Sequence, residues 1–155
     1  MKPIDINVAR FKEQVCAFLN ECETVGRMQN VWNETENGKM EAYYENIFLS
    51  LVLRLIAKDG EIREGEIAYL NRCFFDYAVD YTPDRLTTIY RNSADILSDS
   101  FVQWLNDGSD LLTWGSMKQD YIELIRLICC IIIQSDDEVT EEEIAEAERI
   151  MANVL

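Results

Sequence analysis

Lys58-Asp59-Gly60-Glu61-Ile62-Arg63-Glu64-Gly65-Glu66-Ile67 and Ser135-Asp136-Asp137-Glu138-Val139-Thr140-Glu141-Glu142-Glu143-Ile144 are two versions of one acidic turn, D-[GD]-E-[IV]-x-E-x-E-I. They sit inside a longer duplication at an offset of 77 residues, which pairs residues 47–74 with residues 124–151. Eight of the 28 paired positions are identical, and most others keep apolar character. In each copy an apolar stretch with helical spacing runs into the turn, and a second helical stretch leaves it. Two helical hairpins with equivalent turns imply a pseudo-symmetric bundle, because each hairpin has one apolar face to bury and the other hairpin offers a matching one.

The rest of the chain extends the helical reading. Val8, Phe11, Val15, Phe18/Leu19, Cys22 and Val25 form a stripe, so residues 5–28 are predicted as a helix with Asp5 as its N-cap. Residues 33–39 are polar and contain Asn37-Gly38, which predicts a loop. Helices are predicted over 40–58 and 64–79 around the first turn. Thr82-Pro83 starts another, over 83–106, which the Asn92-Ser93 pair can split. Asn106 to Gly115 contains Asp107-Gly108 and predicts a loop. Ser116 with Gln119, and Thr140 with Glu143, are capping-box patterns that open helices over 117–135 and 141–154. The expectation is one all-α domain over 1–155, a pseudo-symmetric bundle of six to seven helices.

Composition narrows the function. The chain has 155 residues, 48% hydrophobic, enough for one cored domain. It has no histidine, which excludes Ser-His and Cys-His catalysis and histidine-based metal sites. Net charge is −15, from 29 acids and 14 bases, and it is uneven. Residues 1–77 carry 13 acids and 9 bases, whereas residues 78–155 carry 16 and 5; residues 134–155 alone carry 8 and 1. Nucleic acid and anionic membrane surfaces are therefore disfavoured as partners, and cations and basic proteins are favoured. The longest apolar run, Leu124 to Ile133, is broken by Arg126 and too short for a bilayer, which needs about 20 residues; it reads as a buried core helix. Five cysteines without framework spacing (Cys16, Cys22, Cys73, Cys129, Cys130) read as reduced thiols, and no apolar stretch follows Met1-Lys2-Pro3-Ile4-Asp5, so a cytoplasmic protein is expected.

The turns match the second half of an EF-hand loop, but the upstream ligand places hold Leu55 and Ala57 in one copy and Ile132 and Gln134 in the other. A true EF-hand is excluded. What survives is an acidic turn with about half a calcium shell. Two helical hairpins each carrying D-[GD]-x-[IV]-x-x-x-E resemble the tellurite-resistance TerB-like family. The resemblance covers roughly 47–74 and 121–151, and Asp137 stands where that family usually has glycine. It implies an all-α bundle of about seven helices, a place in bacterial stress and metal-resistance systems, and a divalent-cation site at the paired turns. The positions it brings over are Asp59 and Glu66, and Asp136 and Glu143, with Glu61, Asp137, Glu138 and Glu141 as further carboxylates nearby. Calcium is the cation expected, and no other cofactor.

Each residue also has a plainer reading. Glu66 and Glu143 fall near the third position of their helices, where a carboxylate caps backbone N–H groups, a contribution of about 0.5–2 kcal/mol. Asp59 and Asp136 are polar helix exits, although an anion at a helix C-terminus opposes the macrodipole and invites a positive charge. Glu146 and Glu148 read as plain surface, and Trp32, Trp104 and Trp114 as core or loop anchors. No apolar surrounding is evident that would raise one carboxyl for acid–base chemistry, so a non-enzymatic role is expected. Two roles remain open: a metal-responsive or adaptor module, and an acidic inhibitor or immunity-type protein whose 78–155 surface covers a basic partner.

Overall fold

The apolar run that is too short for a membrane lies at the centre of the molecule. In a computed structural model of the chain, residues 3–27, 32, 38–56, 100–134 and 141–154 are described, and they form five helices with no strand among them. These are α1 (Pro3–Gly26), α2 (Met40–Ile56), α3 (Phe101–Asp110), α4 (Met117–Ile133) and α5 (Glu141–Asn153). α4 is apolar around most of its circumference, from Tyr121 through Leu124, Ile128 and Ile132, and a helix of that kind is stable only when covered on all sides. It packs against each of the other four helices. The predicted helices over 64–79 and 83–99 lie outside the described residues.

α1 covers α4 with the stripe read from the sequence: Phe11, Val15, Phe18, Cys22 and Val25 are all buried, at alternating spacings of four and three. It begins at Pro3, so Asp5 lies within the first turn rather than ahead of it. There its charge still favours the helix N-terminus. α2 buries Tyr44, Ile47, Phe48 and Leu51 through Leu55 against α1, α4 and α5.

Where these helices meet, Phe18, Tyr44, Phe48 and Tyr121 form an aromatic cluster. Phe18–Tyr44 and Tyr44–Tyr121 are edge-to-face pairs, with centroids 5.5 and 5.4 Å apart. Trp32 joins the rim, packing on Tyr43 and Tyr44 and donating its indole N–H to the Gly38 carbonyl at 2.8 Å. Trp104 is half-buried, and Trp114 is exposed in the α3–α4 connection, so it anchors neither core nor loop.

Two expectations are corrected here. Asp107-Gly108 is no turn, since α3 continues through it to Asp110. The reason is tertiary. Tyr44 Oη donates to the Gly108 carbonyl at 2.6 Å, and Tyr121 Oη donates to the Leu105 carbonyl at 2.7 Å. Both phenols are buried and need an acceptor; the Gly108 carbonyl lies in the last turn of α3, where helical partners run out, and the Leu105 carbonyl, one turn earlier, has a second lone pair to offer. The approach is close enough that a Cβ on Gly108 would stand 3.0 Å from both Ile47 Cδ1 and Tyr121 Oη. The second correction concerns Ser116. It precedes α4 but makes no cap; its hydroxyl donates to Asp120 Oδ2 at 3.3 Å instead.

In an ordinary helix, Gly→Ala gains roughly 0.5–1 kcal/mol. Gly108→Ala is expected to lose stability instead, and Tyr44→Phe to lose about 1 kcal/mol by leaving a carbonyl unpaired. Urea midpoints of the two variants against the parent chain check both signs.

Candidate functional site

The acidic turns frame the candidate site. Asp59, Glu61, Glu66, Asp136, Asp137 and Glu138 lie outside the described residues. Glu141 and Glu143 stand in the first turn of α5, where three consecutive glutamates meet the positive end of the helix dipole. Glu141 and Glu142 are exposed, whereas Glu143 is only 3% exposed. Thr140, the other half of the predicted capping box, also lies outside the described residues. Among the described residues no group of three or more acidic or cysteine side chains is gathered as metal ligands would be.

One turn further along α5 is Glu146, which the sequence reading assigned to the surface. It is buried, 7% exposed, and two arginines contact its carboxylate. Arg54, at the end of α2 and equally buried, donates Nε–H to Glu146 Oε1 at 3.1 Å. Arg149 grips the same carboxylate in two places, Nε to Oε2 at 3.0 Å and a terminal nitrogen to Oε1 at 2.7 Å. The Arg54 guanidinium also lies 4.7 Å over the ring of Phe101 on α3. A carboxylate taken out of water costs several kcal/mol unless it is paired and hydrogen-bonded, so two guanidinium groups on one glutamate are what burial here requires.

A signal for this pair existed. In the duplication Arg54 aligns with Ile131, and Glu146 with Tyr69, so each charge stands where the other copy has an apolar or aromatic residue. Arg54 is the single charge between Ile47 and Ile56. Glu146 precedes Ala147 and falls four residues before Ile150, which puts it on the buried face of α5.

Two of the described thiols, Cys22 and Cys129, are buried and held in the protonated form. Burial pushes the Cys22 thiol up to about 12, helped by the charges of Glu21 and Glu41. Burial does the same for Cys129, to about 12, helped by Cys130 and Glu146. Tyr44 and Tyr121 are likewise raised above their ordinary value, by burial first. Cys130 is half-buried, with its Sγ 3.8 Å from Met151 Sδ, and Cys16 is exposed. An acid whose folded pKa lies above its unfolded one stabilises the fold fully below the unfolded value and loses that contribution as pH rises.

Stability is therefore expected to hold up to the free-thiol value of 9.0 and to fall from there towards pH 12. The measurement is thermal unfolding across that range, and Cys22→Ala should flatten the slope. For the ion pair, Glu146→Leu is expected to cost about 3 kcal/mol or more, and Arg54→Met combined with Glu146→Leu to regain most of it. A double-mutant cycle in urea reads the coupling.

Among the described residues no helix is long and apolar enough to cross a membrane. Comparison with protein-family models, with curated proteins and with solved structures returns no match for this chain.

Proposed function

We propose that the chain is a non-enzymatic, TerB-like helical module of the cytoplasm, with a metal-responsive or adaptor role in a bacterial stress response. In this reading Asp59 and Glu66 from the first turn, and Asp136 and Glu143 from the second, weakly hold one hard divalent cation, calcium before magnesium. Calcium tolerates an irregular shell of carboxylates, carbonyls and water, whereas magnesium demands near-octahedral geometry. The cation relieves repulsion among the turn carboxylates and changes the surface shown to a protein partner. The observation that supports this is the Arg54–Glu146 contact. It ties the end of the helix leading into the first turn to the helix leaving the second, across the two copies of the duplication.

A second reading is favoured by the exposed acids of α5, Glu141, Glu142 and Glu148, in a chain of net charge −15. This is an acidic inhibitor or immunity-type protein that covers the cationic cleft of a basic partner. Its binding falls steeply with salt and ignores chelators.

Calcium titration of the isotopically labelled chain, followed by NMR, tests the first reading. Saturable shifts at Asp59 and Asp136 are expected with a dissociation constant on the order of 10⁻³ M, and Asp59→Asn with Asp136→Asn should abolish them. No change at those residues up to millimolar calcium removes the cation from the account.

A further inference from the structure

We propose that the groove between α1 and α4 is a docking site for an arginine side chain of a basic protein partner. The groove has a volume of about 190 Å³. Phe18 and Leu124 form its apolar floor, and Gln14 and the small Ala17 line it from α1. Glu21, Asp120 and Glu123 line it as well, so an apolar slot is bordered by three carboxylates on two helices. Glu123 is already held by Arg10 at 2.7 Å, and Asp120 accepts the Ser116 hydroxyl at 3.3 Å. Glu21 makes no ion pair among the described residues, and its charge is left to act on the groove.

This combination selects its occupant. An apolar floor gives nothing to a hydrated metal ion. Carboxylates repel phosphate and acidic peptides. An arginine satisfies both parts, because its methylene stem covers Phe18, Leu124 and Ala17 while its planar guanidinium meets a carboxylate with two parallel N–H donors. Lysine has the stem but only a point charge at its end. The groove involves neither acidic turn and needs no cation. It shares with the second reading above only the sign of the partner's charge.

The test titrates the labelled full chain with acetyl-Gly-Arg-Gly-amide and follows backbone amide shifts. Saturable shifts confined to Ala17, Glu21, Asp120 and Leu124 are expected, unchanged by chelator. Glu21→Gln should weaken binding by roughly threefold or more, as loss of one exposed charge contact does. Ala17→Leu, which fills the slot without changing charge at an exposed position, should abolish it. If that variant loses its helical circular dichroism, Glu21→Gln and Asp120→Asn decide the matter. Shifts scattered over the acidic surface overturn the proposal, as does equal binding of the citrulline analogue or an unchanged response in Glu21→Gln. Equal binding of the lysine peptide overturns the assignment to arginine. Failure at the groove leaves the calcium test at Asp59 and Asp136 untouched, so the two ideas fall separately.

Discussion

A single guanidinium holds three helices together. Arg54 leaves α2, stacks on Phe101 of α3 and hydrogen-bonds Glu146 of α5, whose other contacts go to Arg149. In a chain with twice as many acids as bases, a buried carboxylate is the arrangement hardest to sustain. The fold sustains it by spending one of its few arginines inside the core. The pair is a modest source of net stability, since its Coulomb attraction is offset by desolvation of both charges. Its effect is on register. Sliding α5 by one turn along α2 would leave an unpaired charge in an apolar interior, a cost that no rearrangement of leucines and isoleucines could recover.

The bulk of the driving force comes from the apolar surface around α4. Burying one Leu, Ile or Phe is worth about 1.5–3 kcal/mol, and α4 alone buries Leu124, Ile125, Leu127, Ile128, Ile131 and Ile132. Such packing is nearly indifferent to direction. Direction is set by the few polar groups the core must satisfy: the Arg54–Glu146 pair, and the hydroxyls of Tyr44 and Tyr121 on the backbone of α3. Gly108 belongs to the same device, because its missing side chain lets Tyr121 and Ile47 approach the helix.

Long-period signals in the sequence were legible, and short motifs were less so. The Phe11–Val25 stripe, the Leu124–Ile133 run and the stretches around Tyr44–Leu55 and Ile144–Ile150 each became a helix where periodicity placed it. Asp107-Gly108 and Ser116-x-x-Gln119 carry the right residues for a turn and a cap, yet a tertiary contact engages Gly108 and a local one, to Asp120, engages Ser116. Glu146 was misread for a related reason. A glutamate in an acidic helix resembles surface; Arg149, three residues on, pairs with it as on any helix face, and the buried partner Arg54 lies 92 positions away. Of the candidate ligands in the acidic turns, only Glu141 and Glu143 belong to the described residues, and of these two Glu143 is buried.

The interior of the described helices is organised by a few paired charges, and the chain carries a net charge of −15. Its proposed roles are all forms of recognising positive charge, whether calcium at the turns, a basic protein along α5, or an arginine beside α1. The calcium reading assumes that the two copies of the duplication are locked to each other. The most direct measurement of that lock is proton exchange at the Arg54 side chain by NMR. The account expects a slowly exchanging Arg54 Nε–H with a nuclear Overhauser contact to the Phe101 ring. An Nε–H that exchanges as fast as that of exposed Arg27, with no contact to Phe101, would contradict it.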